Sequence, residues 1–139
     1  MTTVEVSFRG PFLAQDPSGA LRQAMHSAVD DLVSLGEQRL DRMLRPRPAG
    51  VFLSVERAGN RASVGHYRRS LQSAVHDLEG TISDGGVLYG PWLEGTSSRN
   101  QTTRFKGYAS FRRTGQWLQR QAQRISDHHL QRWVRGMNR

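Results

Sequence analysis

The chain has 139 residues, the length of one ordinary domain, and a fold of this size can bury a hydrophobic core without disulfide bonds or a structural metal. It contains no cysteine, which excludes a disulfide scaffold, a thiolate metal site and a cysteine nucleophile. No stretch approaches the ~18 consecutive apolar residues that a membrane span needs, so a soluble chain with no membrane partner is expected.

Positive charge is concentrated in the last third of the chain. The net charge is +8, and Lys106 is the only lysine. Residues 1–96 carry 10 positive and 11 negative side chains, whereas residues 97–139 carry 10 positive and 1 negative. The preference for arginine fits either a GC-rich genome or the bidentate contacts that arginine makes. This basic C-terminal block predicts a polyanion or an acidic protein surface as a neighbour.

Two elements are predicted in the first third of the chain. Val4, Val6 and Phe8 alternate with polar residues, which predicts a half-buried strand over residues 3–8. Apolar residues at spacings of three to five then predict one long amphipathic helix over about 17–44, which the prolines after it end. These apolar residues are Leu21, Met25, Ala28, Leu32, Leu35, Leu40 and Met43.

Alternation predicts a second strand over 51–57 and a hairpin whose strands are 67–76 and 79–83. From 96 to about 110 the composition is polar and basic without a period, which predicts an extended loop. A second amphipathic helix follows to near the end, on the residues Phe111, Gly115, Leu118, Ala122, Ile125, His129, Trp133 and Met137.

This order predicts a single α+β domain over residues 1–139. We expect a small, mostly antiparallel sheet of about four strands. A long helix from the N-terminal half and a long C-terminal helix would pack on this sheet.

Histidines do not form a metal-binding pattern. His128 and His129 are adjacent, and a helix separates adjacent side chains by about 100°, so they cannot share a metal as an i, i+4 pair can. His129 falls on the apolar stripe and is predicted to pack in the interior, while His128 is predicted to face solvent. We therefore expect no metal site and no cofactor.

Carboxylates offer no acid-base pair in a cleft, and no catalytic residue is predicted. Asp30 and Asp31 fall on a helix surface, and Asp77 and Glu79 fall at a hairpin reversal, where solvated charge is ordinary. Glu94 lies in an aromatic segment that two arginines follow. It is either an exposed turn carboxylate paired with one of these arginines or half of a salt bridge between subunits.

Basic and aromatic side chains are interleaved from residue 99 to residue 117, as on a nucleic-acid surface. The rings could equally anchor the loop to the core. Nonspecific proximity to duplex DNA needs only positive potential, whereas reading a sequence needs base contacts.

A more specific pattern is the stretch Tyr89-Gly-Pro-Trp-Leu-Glu-Gly-Thr96, followed by Ser98-Arg-Asn-Gln-Thr-Thr-Arg-Phe-Lys-Gly-Tyr108 and Phe111-Arg-Arg-Thr114. It resembles the signature region of neck proteins from long-tailed phages of actinobacteria. The order of elements is similar to that of the tail-completion family of siphophages. The chain departs from the wider family pattern at Val64-Gly65 and at Gly90-Pro91-Trp92.

The resemblance implies a bacteriophage structural protein of the virion that is not an enzyme. It would form a ring, expected to hold six copies, in the head-to-tail connector that joins the DNA-filled head to the tail around the genome channel. Implied neighbours are portal, adaptor or stopper proteins above, the tail terminator or tail tube protein below, and packaged double-stranded DNA. Assembly would occur in the host cytoplasm. The basic residues expected to face the DNA of this channel are Arg112, Arg113, Arg120 and Arg124, three of which fall away from the apolar stripe of the last helix.

The same resemblance suggests which residues contact a subunit or neighbour. These are Tyr89, Trp92, Leu93, Glu94, Arg99, Asn100, Arg104, Phe105, Lys106 and Tyr108. Two other functions stay open: a tail terminator ring protein and a small basic nucleic-acid-binding protein.

Overall fold

The computed structural model describes residues 2–14, 19–44 and 67–138. In chain order the elements are β1 Thr3–Ser7, α1 Pro11–Ala14, α2 Ala20–Met43, β2 Gln72–His76, β3 Glu79–Ser83, α3 Gly90–Glu94, α4 Arg99–Thr102 and α5 Ser110–Met137. The predicted α+β class, with a small antiparallel sheet and long helices, is confirmed. No helix in the described ranges is long and apolar enough to cross a bilayer.

The three described strands form one antiparallel sheet in the order β1-β3-β2. Val4 of β1 pairs with Ile82 of β3, and both side chains are buried. Asp77, at the reversal between β2 and β3, has a left-handed backbone with φ 54°. The predicted strand 51–57 lies outside the described residues, so the expected count of about four strands is not reached within them.

The beginning of the first predicted hairpin strand is wrong, whereas its second half is confirmed as β2. Residues 67–69 are helical, and β2 begins only at Gln72. The backbone N–H of Ser70 and its hydroxyl both donate to the carbonyl oxygen of Tyr67, over 3.1 and 2.7 Å. A serine that bonds nearby backbone favours a turn over a strand, and the turn buries the Tyr67 ring against Tyr89 and Phe111.

The long helices α2 and α5 are antiparallel neighbours. Thr114, near the start of α5, contacts Met43 at the end of α2, and His129 further along α5 contacts Asp31 in the middle of α2. Most of the predicted apolar positions are buried or half-buried. Met137 is the exception, with 60% of its surface exposed, because the apolar stripe of α5 outlasts the elements that cover it.

The packing of α2 is closest at Gly36. A Cβ atom at this position would lie 2.5 Å from Ile82 Cδ1 and 2.9 Å from Leu118 Cδ1, so the absence of a side chain lets α2 contact both the sheet and α5. Val29 and Val33, which the spacing pattern did not include, are buried on α2 and meet the sheet at Gly80.

Candidate functional site

Residues 89–108, hereafter the signature segment, fold back on themselves between β3 and α5. Within the predicted loop over 96–110 the structure has one short helix, α4, and no regular element from 103 to 109, and buried polar side chains hold the segment in place. Its shape depends on Glu94, Asn100 and a glycine pair.

Glu94 attaches the signature segment to the start of α5. Its Oε2 accepts the backbone N–H of Phe111 over 3.0 Å, and its Oε1 accepts that of Arg112 over 2.9 Å. The residue preceding the helix, Ala109, provides no side-chain cap, so a carboxylate from a distant turn binds the amides that every helix start leaves free. Glu94 is 6% exposed. It is neither the exposed turn carboxylate nor a carboxylate free for a salt bridge between subunits.

Asn100 organises the middle of the segment from a buried position. Its amide nitrogen donates to the carbonyl oxygens of Trp92 and Phe105, over 3.0 and 3.1 Å, and its Oδ1 accepts the N–H of Ser97. One amide group therefore joins three points of the chain, which restricts the segment to one conformation.

The signature segment folds back so that its backbone crosses itself at Gly95 and Gly107. Their φ angles are 104° and 92°, and a Cβ atom on Gly107 would overlap the backbone of Gly95. Next to this crossing, the N–H of Tyr108 donates to the carbonyl oxygen of Leu93 over 2.7 Å. Both positions therefore require glycine, for conformation and for space.

A row of rings covers one side of the segment. The Phe105 ring meets Trp92 edge-on at 4.9 Å between centroids and Tyr108 at 5.1 Å. All three side chains are half-buried. Tyr89 is half-buried beside Tyr67, and this partial burial raises the pKa of its hydroxyl. The ring edges are therefore accessible while the ring positions are held by the core.

Basic side chains lie on the solvent-exposed surface of the signature segment. Arg99, Arg104 and Lys106 are exposed. The Lys106 Nζ donates to the carbonyl oxygen of Asn100 over 2.8 Å, where it complements the free carbonyls of the short helix α4. Of the ten residues predicted to contact a neighbour, Leu93, Glu94 and Asn100 are buried and hold the segment, while the other seven are wholly or partly exposed.

The four arginines predicted to face DNA lie on α5 and are all exposed. They are Arg112, Arg113, Arg120 and Arg124. The Arg124 guanidinium donates to Gln121 one turn before it, over 3.0 Å. The structure thus separates two surfaces, the signature segment and the solvent face of α5.

The two adjacent histidines lie as predicted. His128 is exposed, and His129 is buried, where its Nε2 lies 2.6 Å from Oδ2 of Asp31. Sequence spacing did not indicate this pair, because it joins residues 98 positions apart. No cluster of three metal-ligating side chains occurs within residues 2–14, 19–44 and 67–138.

A buried polar group that the sequence did not single out lies beneath the segment. Asp84 is fully buried, and its Oδ1 accepts the N–H of Gly86 over 2.9 Å. Burial, with the negative charges of Asp84 and Glu94, raises the pKa of the Tyr67 hydroxyl well above its usual range. The local sequence Asp84-Gly85-Gly86 carries no signal for burial of this carboxylate.

Comparison of the chain with family models, with curated proteins and with solved structures gave no match.

Proposed function

We propose that this protein is a structural component of a tailed-phage virion, a ring protein of the neck that joins the DNA-filled head to the tail. It acts through contacts with copies of itself and with neighbouring rings, without making or breaking bonds. The observation that carries the proposal is the construction of the signature segment, in which buried polar side chains hold a surface of half-buried rings and exposed cations.

Such a surface suits assembly because its shape is set before a partner arrives. Ordering loops on binding costs free energy, and the hydrogen bonds of Asn100 and Glu94 already supply that order. Aromatic and arginine side chains are the residues that most often dominate binding energy at interfaces. The accessible candidates are Trp92, Phe105 and Arg104.

The resemblance of residues 89–114 to phage neck proteins supports the same function. In a closed ring each subunit presents one surface to the next subunit and a different surface to the previous one. The signature segment serves as one of these surfaces, or as the contact with the ring above or below.

The test uses a phage that carries the variant gene. Arg104→Glu reverses an exposed charge without touching the buried hydrogen bonds. The control Arg9→Glu reverses an exposed charge two residues beyond β1, outside the signature segment, where it breaks only an exposed pair with Glu79. We expect Arg104→Glu to yield filled heads and finished tails that remain unjoined, and Arg9→Glu to yield infectious particles.

Imaging purified virions at residue resolution locates the protein directly. Density for this fold between portal and tail supports the proposal. Density one layer lower, capping the tail tube, assigns the tail terminator instead. Absence from virions, or a measured turnover by the isolated chain, overturns the structural function.

A further inference from the structure

The solvent face of α5 is a stripe of arginine. Arg113, Arg120, Arg124 and Arg135 lie within about 60° of one another around the helix, at ~100° per residue. All four are exposed, and they extend over roughly 33 Å of helix at 1.5 Å per residue. These four residues are called the arginine face below.

Three arginines outside α5, namely Arg9, Arg22 and Arg68, have acidic partners within the described chain. Arg22 pairs with Asp77 through two hydrogen bonds, and Arg68 pairs with Asp41 in the same way. Within the described ranges no ion pair involves an arginine of α5. Asp127 is the single carboxylate on this helix. Within the described part of the chain the charge of the arginine face is therefore not neutralised, and it is available to a partner.

We propose that the arginine face binds the phosphate backbone of duplex DNA without regard to sequence. Duplex DNA carries one negative charge per ~1.7 Å of its axis, a regular line of charge that a straight row of guanidinium groups can follow. Arginine also binds phosphate oxygens in bidentate fashion. Glutamines such as Gln116 and Gln131, between the arginines, are further donors to phosphate.

Other polyanionic partners fit this face less well. A protein partner would need an apolar or aromatic anchor at the centre of the interface, which the arginine face lacks. Single strands bind through stacked bases, but Trp117 is half-buried with the Arg39 guanidinium 5.0 Å from its ring. An anionic membrane binds amphipathic helices by their apolar face, and α5 buries most of that face against α2, up to its last turns.

The expected binding has a salt dependence that follows from the number of contacts. Four phosphate contacts give a slope of log K against log salt concentration of about −3.6. Raising the salt from about 50 to 200 mM should therefore weaken binding roughly 150-fold. The measurement is fluorescence anisotropy of a labelled duplex titrated with the full chain, repeated with an unrelated duplex of equal length and with single strands.

Matched variants separate the arginine face from net charge. Arg120→Gln with Arg124→Gln should weaken binding about 60-fold at about 0.1 M salt and reduce the slope by about 1.8. Arg9→Gln with Arg69→Gln removes the same charge from exposed sites outside α5 and should leave the slope unchanged. Circular dichroism of each variant verifies that it is folded.

A third variant should have the opposite effect. Asp127→Asn removes the only negative charge on α5 and should tighten binding, which a merely structural role of the helix would not produce.

Several results would overturn the proposal. They are equal losses in the two double variants, no binding at low salt, a preference for one duplex sequence, or tighter binding to single strands or to polyglutamate. The inference rests on the proposed function only for where the protein would meet DNA, namely in the genome channel of the neck. Imaging can exclude the neck while duplex binding persists, and binding can fail while the protein is found in the neck.

Discussion

Replacement of Glu94 should cost more stability than replacement of any exposed carboxylate. Each of its oxygens accepts one backbone N–H of α5, and the site is 6% exposed. A hydrogen bond to a charged group contributes roughly 1.5–3 kcal/mol. Glu94→Ala removes two such bonds, so the free energy of unfolding should fall by roughly 3–6 kcal/mol, against ~5–15 kcal/mol for a whole domain.

Glu94→Gln provides an intermediate step. An amide has one acceptor oxygen, so one bond is kept, while the NH₂ group faces the second N–H donor and the charge at the helix start is lost. The expected loss is roughly 1.5–3 kcal/mol. Glu79, 67% exposed in its pair with Arg9, is the control, and Glu79→Gln should cost at most ~1 kcal/mol.

Urea denaturation of the four proteins, followed by circular dichroism, gives these free energies, and unchanged m-values would show that the unfolded states are comparable. If Glu94→Ala stays within about 0.5 kcal/mol of the parent, the range ordinary for surface changes, then Glu94 does not hold α5 and the reasoning fails.

Further predictions use the same measurement. Gly86→Ala places a side chain at a φ of +77° but in open space, so its cost in folding stability should be only the ~1–3 kcal/mol of backbone strain. Gly107→Ala has an unfavourable φ and also overlaps the backbone of Gly95, so it should cost clearly more. Equal losses of stability would exclude the contact with Gly95 as the cause. Gly36→Ala should destabilise the fold by about 1–3 kcal/mol, because the new methyl group would overpack the contact with Ile82 and Leu118. Gly115→Ala should instead stabilise it by up to ~1 kcal/mol through helix propensity, because its Cβ would lie 4.0 Å from Val4. Equal effects of the two changes would contradict the packing described for α2. The hydrogen bonds and charge of Arg22 hold the pKa of the Asp77 carboxyl below its usual range. The pair of Arg22 and Asp77 therefore stabilises the fold above pH ~3.9, and this stabilisation is lost as the pH falls through the pKa that Asp77 has in the folded state. Asp77→Asn, which tolerates the left-handed backbone, should therefore be less stable than the parent at pH ~7 and converge with it at low pH, and a constant difference would refute the pair.

Much of the secondary structure could be predicted because periodicity is a local property. The apolar spacing of α2 and α5 and the alternation of β1 follow from which side chains share a face. The prediction failed at Tyr67, where alternation continued but a serine turn and the burial of one large ring decided the conformation. The pattern of neighbouring residues carries no information about burial by an element that is distant in the sequence.

The candidate site shows the same division. The sequence indicated that residues 89–108 are unusual, and it indicated the basic residues of α5 by composition alone. It could not indicate that Glu94 and Asn100 face inward, since their partners lie up to 18 positions away along the chain. Polar residues in a turn are ordinarily solvated, and only a specific set of backbone donors makes their burial favourable.

By itself the sequence determined the elements with a clear period, the position of the charge and the exclusion of cysteine chemistry, because each depends on residue type and spacing alone. Tertiary structure decided which polar groups are buried, which arginines are neutralised within the chain and which face outward. Those properties depend on contacts between residues far apart in sequence, such as Glu94 with the start of α5 and Arg22 with Asp77.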